Sequence, residues 1–171
     1  YEVKQRPLNK PISLLVNNME MVNMIAKDIN EIEYKIMKKF FPGPLTIILK
    51  KKDIVPDIVT AGQDTVGVRM PRGEIARKLV ELSGVPIAAP SANISGKPSG
   101  TNLQEIMKYF EGKVDYYIDG GNSELGLAST IVQVIDEKPV ILRHGSITLE
   151  QIDKILKGWY KNESFDNRRS I

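Results

Sequence analysis

Residues 86–96, PIAAPSANISG, change character halfway along. Pro86, Ile87, Ala88, Ala89 and Pro90 are apolar and mostly small, as in a short buried strand with room beside it. Pro90 removes a backbone donor and ends any ladder. Ser91, Asn93 and Ser95 follow, closed by Gly96. Hydroxyls, an amide and free N–H groups therefore gather at the end of an apolar strand. In an open α/β sheet, strand ends are where ligands bind, and groups that can all donate hydrogen bonds suit an anion. An ordinary exit from strand to loop reads the same way, so this stretch constrains topology before it assigns a role.

The remaining composition narrows the class. The chain has 171 residues, 42% hydrophobic and 26% charged, the mixture of one globular domain able to bury a sizeable core. Its net charge is +3, mild basicity that suits a nucleotide or RNA and proves neither. It has no cysteine, which excludes disulfides and thiolate metal sites, and a single histidine, His144, which excludes a histidine cluster. No apolar run approaches the ~20 residues of a membrane span and no signal-peptide pattern opens the chain, so a cytoplasmic protein is expected. The first residue is Tyr1, inside a charged motif, so an upstream segment is expected.

Hydrophobic periodicity predicts strands at residues 12–16, 46–49, 66–70, 86–90, 116–118, 130–135 and 140–142. Helices are predicted around Met21, Met24 and Ile25, then Ile32 and Ile36 after a break near Asn30. Further helical faces are Ile75, Leu79 and Leu82, then Leu103, Ile106, Met107 and Phe110, and last Ile152, Ile155, Leu156 and Trp159. Thr101 with Gln104, and Thr148 with Gln151, are spaced as capping boxes. Residues 53–64 read as loop, with a turn at Gly62, and residues 41–44, FPGP, as a rigid turn. Strands and helices mix without strict βαβ alternation, which predicts an α/β or α+β fold with a mixed sheet.

Several groups carry candidate chemistry. Lys4 and Arg6, two residues apart, share a face if the segment is extended and would grip one phosphate chain; a solvated basic loop is the plainer alternative. Thr65, Gly67 and Arg69 share one face of a strand, and Gly67 leaves a gap. An arginine in an otherwise buried strand needs an anionic partner, which a substrate carboxylate or a structural Asp or Glu would supply equally. Arg72 beside it caps a helix or faces solvent. Residues 126–131, GLASTI, place Ser129 and Thr130 at a strand entrance, and Arg143 follows a strand end within reach of a phosphate. The chain has no GxxxxGK[ST], GxGxxG or GxSxG motif and no persuasive carboxylate pair. Its chemistry would rest on positive charge, hydroxyls and backbone donors, a profile that suits nucleotidyl transfer.

Taken in order, residues 4–11 (KQRPLNKP), 40–49 (FFPGPLTIIL), 65–71 (TVGVRMP), 86–100 (PIAAPSANISGKPSG), 128–132 (ASTIV) and 141–145 (ILRHG) resemble the YrdC/Sua5 family of L-threonylcarbamoyladenylate synthases. The resemblance runs from Lys4 to about Ile155 and is carried by the combination of motifs. It implies an open, twisted, mixed α/β sheet of YrdC/RibB type with flanking helices and a large basic cavity. It also implies one YrdC-like domain over residues 1–160, lacking its N-terminal strand, and a flexible polar tail over 161–171. The implied reaction starts when bicarbonate or CO2 is captured on threonine's amine as a carbamate. The carbamate oxygen then attacks the α-phosphate of ATP, giving threonylcarbamoyl-AMP and pyrophosphate for modification of adenosine 37 in tRNAs reading ANN codons.

Carried over by position, the resemblance implies a catalytic group of Lys4, Arg6, Ser129 and Arg143. It implies ATP contacts from Lys4, Arg6, Lys10, Thr65, Ser91, Asn93, Ser99 and Arg143, and threonine contacts from Arg69, Ala89 and Ser129. No metal-binding residue is implied; Mg2+ enters as a companion of ATP. Further partners would be tRNA or the downstream threonylcarbamoyl transferase complex. Three departures stand out: the family's upstream P-T-[ED]-T-x-Y-G-L segment is missing, Leu15 replaces a frequent His, and Phe41 a frequent Trp. Two other functions compete. One is a non-catalytic double-stranded RNA or tRNA-binding module tracking phosphates with Lys35, Lys38, Lys39 and the lysines at 50–52. The other is a carbamoyl-transfer domain of hydrogenase-maturation type, whose zinc-finger cysteines this chain lacks.

Overall fold

The computed structural model describes residues 1–123 and 128–166, with side chains through Lys157. In chain order the elements are β1 (Leu14–Leu15), α1 (Met19–Ile25), α2 (Glu31–Phe40), β2 (Leu45–Lys50), α3 (Asp57–Thr60), β3 (Thr65–Arg69), α4 (Glu74–Ser83), β4 (Ile87–Ala88), α5 (Leu103–Phe110), β5 (Thr130–Ile135), β6 (Lys138–Arg143) and α6 (Leu149–Asp166). The strands form one six-stranded sheet in the order β4-β1-β3-β2-β5-β6. β1 runs parallel to β3 and β2 parallel to β5; the other neighbours are antiparallel. This is the open mixed sheet with flanking helices that the sequence predicts.

Caps set the helix starts. Asn18 Oδ1 accepts the Met21 N–H at 2.8 Å, which lets α1 bury Met21, Val22 and Ile25. Asn30 and Glu33 cap α2 reciprocally: Asn30 N–H donates to Glu33 Oε2 at 2.8 Å, and Glu33 N–H to Asn30 Oδ1 at 2.9 Å. Burial raises the Glu33 carboxyl above its ordinary value, against the opposing pull of that backbone donor and of Lys50. Thr148 and Gln151 cap α6 as expected, through bonds of 2.9 and 3.2 Å. The core lies on one face of the sheet. Val16, Leu45, Ile47, Leu49, Val66, Val68 and Val132 share it with Val22, Ile36 and Met37 of the first two helices and Ile152 and Leu156 of α6.

The structure corrects several local expectations. The apolar strand of residues 86–90 shrinks to Ile87–Ala88 at the sheet edge, half-buried and exposed respectively, because the two prolines stop the ladder. Residues 57–60 form a helical turn inside the stretch read as loop. Residues 116–118 join no strand; Tyr116 and Ile118 are exposed, and Tyr117 donates its hydroxyl to Phe110 O at 2.5 Å. The cap of α5 sits one residue later than Thr101 with Gln104. Asn102 Oδ1 accepts the Glu105 N–H, and Glu105 Oε2 accepts both the Thr101 N–H and its hydroxyl. On α4 only Val80 is buried, whereas Ile75, Leu79 and Leu82, the expected core face, are exposed. α6 runs from Leu149 to Asp166. The side chain of Trp159 and residues 167–171 lie outside the described residues, as do Gly126 and Leu127 of the GLASTI motif.

Candidate active site

The alternation of β3 builds the site. Val66 and Val68 are buried in the core, so Thr65, Gly67 and Arg69 take the opposite, half-buried face. Gly67 leaves space there: a Cβ would lie 2.8 Å from Ser13 Oγ, so a larger residue would make that hydroxyl move aside. Register then aligns the charged groups across the sheet. Leu15 pairs with Arg69, and Ile131 pairs with Thr46 on one side and Arg143 on the other. One step beyond the Ile47–Val68 pair, Thr46 lies opposite Arg69. Paired residues present their side chains to the same face. Arg69, Thr46, Ile131 and Arg143 thus form one row, with the arginines three strand spacings apart, roughly 14 Å between backbones.

Arg69 is the unusual member. Its Nε is buried and makes no hydrogen bond, and no Asp or Glu pairs with it among the described residues. Burial lowers its pKa from the ordinary value, and Arg143 adds like-charge repulsion. A desolvated guanidinium without an acid is costly to hold, and of the two anionic partners open from sequence no structural carboxylate meets it among the described residues.

Arg143 is held from the other side. Its Nε and Nη2 donate to Ser129 O at 3.1 and 2.8 Å, and Nη2 also donates to Ser129 Oγ at 3.0 Å. Ser129 is buried, and its Oγ lies 2.9 Å from Thr46 Oγ1. The segment before β5 is fastened twice more. Thr130 N–H donates to Pro44 O at 3.0 Å, and the Thr130 hydroxyl both donates to Ile147 O at 2.7 Å and accepts from Ile147 N–H at 2.9 Å. Gly145 permits this: a Cβ there would fall 2.2 Å from Ala128 O and 2.4 Å from Thr130 N. In the FPGP turn Gly43 N–H bonds Met70 O, and there is no room for a Cβ beside Phe40 O.

The serine loop after β4 forms a second cluster. Ser91 Oγ donates to Asn93 Oδ1 at 2.6 Å, and Asn93 Nδ2 donates to Ile94 O at 3.0 Å and Lys97 O at 2.6 Å. Lys4 Nζ reaches into this loop, donating to Ser91 O, to Asn93 O at 2.5 Å and to Asn93 Oδ1 at 3.4 Å. Ser95 N–H answers by donating to Lys4 O at 2.8 Å. Burial, then the neighbouring Arg6, lower the Lys4 pKa. The segment around Lys4 and Arg6 is a turn, not the extended conformation in which both side chains would share a face: Arg6 N–H bonds Tyr1 O, and Gln5 has φ 51°. Arg6 therefore turns aside, donating to Lys10 O at 3.2 Å and Pro11 O at 2.7 Å.

The expected residues thus fall into groups. Ser129 and Arg143 meet on the sheet face that Arg69 shares, and Lys4 joins Ser91 and Asn93. Ala89 N–H donates to Ser13 O at 3.1 Å, beside Gly67. Thr65 shares the Arg69 face but lies four residues away, roughly 13 Å along the strand. Lys10 and Ser99 are exposed, and their side chains join neither cluster among the described residues. Arg72 faces solvent, as anticipated, and borders a hollow of about 300 Å³ with Lys39, Pro42 and Gln151 that Pro44 and Ile147 also line. Sequence reasoning passed over Thr46 and Ser13. A hydroxyl in the apolar run LTIIL was the available signal for Thr46.

The arrangement offers cations and hydroxyls to an oxyanion. No helix is long and apolar enough to cross a membrane among the described residues. A family model, Sua5_yciO_yrdC, described as telomere recombination, matches residues 1–145. The threonylcarbamoyl-AMP synthase of Pyrococcus abyssi is 46% identical over 156 residues, 91% of this chain and 46% of that protein. The threonylcarbamoyl-AMP synthase of Bacillus subtilis is 40% identical over 157 residues, 91% of this chain and 45% of that protein. A crystal structure of P. abyssi Sua5 complexed with L-threonine superposes with a TM-score of 0.86 at 47% identity, covering 90% of this chain and 45% of that one. The chain spans about half the length of these relatives. On a match that takes in every motif from Lys4 to Gly145, the protein belongs to the Sua5/YciO/YrdC family.

Proposed function

We propose that this chain is the catalytic domain of an L-threonylcarbamoyladenylate synthase, a nucleotidyltransferase. It would use L-threonine, bicarbonate or CO2 and ATP, in the service of adenosine 37 modification in tRNA. The observation that carries the proposal is Arg69: a guanidinium whose buried Nε has no partner and which meets no acid among the described residues, in one row with Thr46 and Arg143, both of which hydrogen-bond Ser129. A substrate carboxylate gives Arg69 the missing anion. The names of the relatives support the same substrates.

In this mechanism the threonine carboxylate docks on Arg69, with Ala89 as a small wall. Its amine, carrying CO2 as a carbamate, lies toward Ser129. The carbamate oxygen forms a bond to the α-phosphorus of ATP, and the bond from that phosphorus to the bridging oxygen breaks, releasing pyrophosphate. Arg143, Lys4 and Arg6 stabilise charge on the phosphates, while Ser91, Asn93, Ser99, Thr65 and Lys10 seat the nucleotide. Lys4 must exchange its loop carbonyls for phosphate oxygens, and Arg6 must swing from Lys10 O and Pro11 O. No general base is needed once the carbamate has formed. No group of three or more metal-ligating side chains occurs among the described residues, so Mg2+ would arrive with ATP. The RNA-module alternative is weakened because Lys35, Lys50 and Lys51 pair with Glu31, Asp28 and Asp57.

Pyrophosphate release from ATP in the presence of bicarbonate, with and without threonine, tests the proposal. Threonine-dependent release, with a threonylcarbamoyl-AMP mass in the products, is expected. Release indifferent to threonine overturns it.

A further inference from the structure

The Thr46 hydroxyl serves a single partner. Thr46 is 2% exposed, its Oγ1 lies 2.9 Å from Ser129 Oγ, and no other hydrogen bond reaches that oxygen among the described residues. A hydroxyl has one proton and two lone pairs, and a guanidinium only donates. Ser129 Oγ must therefore accept from Arg143 Nη2 at 3.0 Å. Two arrangements remain for the contact between the hydroxyls. If Ser129 donates, the proton of Thr46, 2% exposed, is buried without an acceptor that a bound molecule could supply, a cost that nothing relieves. If Thr46 donates, both lone pairs of Ser129 Oγ are engaged, by Thr46 and by Arg143. The Ser129 proton then needs an acceptor, and none of the described residues supplies it.

We infer that Thr46 is a positioning residue that fixes Ser129 as an obligate hydrogen-bond donor to an oxygen of the amino-acid substrate. The inference rests on the proposed synthase reading and adds a selection rule to it. At this point an ammonium group meets a donor backed by Arg143 and is repelled, whereas a carboxylate or carbamate oxygen completes the network. The site thus favours the carboxylated form of threonine over the free ammonium form at the end next to Ser129.

The test compares Thr46→Val, Thr46→Ser, Ser129→Ala and the double variant Thr46→Val/Ser129→Ala in the natural protein. Pyrophosphate release is followed with threonine varied at saturating ATP. Thr46→Val is expected to lower kcat/KM for threonine about 10- to 100-fold, with the KM for ATP within about twofold, because a misdirected donor loses alignment and not nucleotide binding. Thr46→Ser, which keeps the hydroxyl, should restore most of the rate. The double variant should be no slower than Ser129→Ala alone. Thermal melting and binding of a non-hydrolysable ATP analogue check that each variant is folded. Wild-type kinetics in Thr46→Val, or losses that multiply in the double variant, overturn the role of Thr46. If Thr46→Val does not fold, a Thr46→Ser enzyme that has lost its rate overturns it too. Ser129→Ala at the wild-type rate would instead overturn the reading of the site itself.

Discussion

Arg69, Ser129 and Arg143 stand on strands or at a strand entrance, whereas Lys4, Ser91 and Asn93 stand on a turn and a loop. The first group is fixed by sheet register and leaves polar capacity unspent: the Nε of Arg69 and, in the arrangement argued above, the proton of Ser129. The second group spends its polar atoms on itself, with Lys4 and the Asn93 amide satisfied by loop oxygens. The contrast separates two ways of meeting an anion. Strand-borne donors are preorganised and wait for a partner, which favours stabilising charge as it develops. Loop-borne donors must trade one set of acceptors for another, so part of the binding energy goes into rearrangement.

The largest effect that would break this contrast is at Arg69. Arg69→Met should reduce threonine-dependent pyrophosphate release about 100- to 1000-fold. Binding of an ATP analogue, read by calorimetry, should persist. The melting temperature should hold or rise, because a desolvated, unpaired cation has been removed. A variant that melts markedly lower would make Arg69 a structural residue. Next comes Gly145→Ala, whose Cβ would collide with the backbone of Ala128 and Thr130. It should cost about 3 kcal/mol in urea unfolding and impair the rate by displacing Ser129. A smaller effect is expected at the loop: Lys4→Met should raise the KM for ATP about 10-fold and speed amide exchange in residues 91–97. Unchanged exchange would show that Lys4 does not hold the loop.

The smallest effect concerns the α5 cap that follows the loop. The Thr101 N–H, then its hydroxyl, hold the Glu105 carboxyl below its ordinary 4.5. A depressed folded pKa means that stability is present above pH 4.5 and is lost as pH falls through the folded value. Wild type should therefore be more stable than Glu105→Gln near neutrality. The gap should close on acidification, as measured by thermal melting across pH. A gap that widens in acid would contradict the cap.

The sheet and the strand-borne residues were legible because period-2 alternation writes both faces of a strand into adjacent letters. In TVGVR the two valines declare the core and the remaining three declare the site. Which anion answers Arg69 was not legible, since the local sequence cannot say whether a distant acid folds onto it. The direction of the Lys4 side chain was not legible for a related reason, since the turn there depends on Gln5 at positive φ and on contacts with a loop some ninety residues later. The family motifs located both clusters without revealing that one is built into the sheet and the other tied by carbonyls. Thr46 was missed because one hydroxyl within LTIIL reads as β-branched filler until its partner at Ser129 is seen.

The placement of Arg69 also bears on how the chain finds its pairing. Sliding β3 by a single position against β1 and β2 would turn its side chains over. The guanidinium would then be driven toward the apolar core face that Val16, Ile47 and Leu49 share, while Val66 and Val68 would face outward. Such a misfolded arrangement is heavily penalised, so the group proposed to greet the substrate also polices assembly of the sheet that carries it.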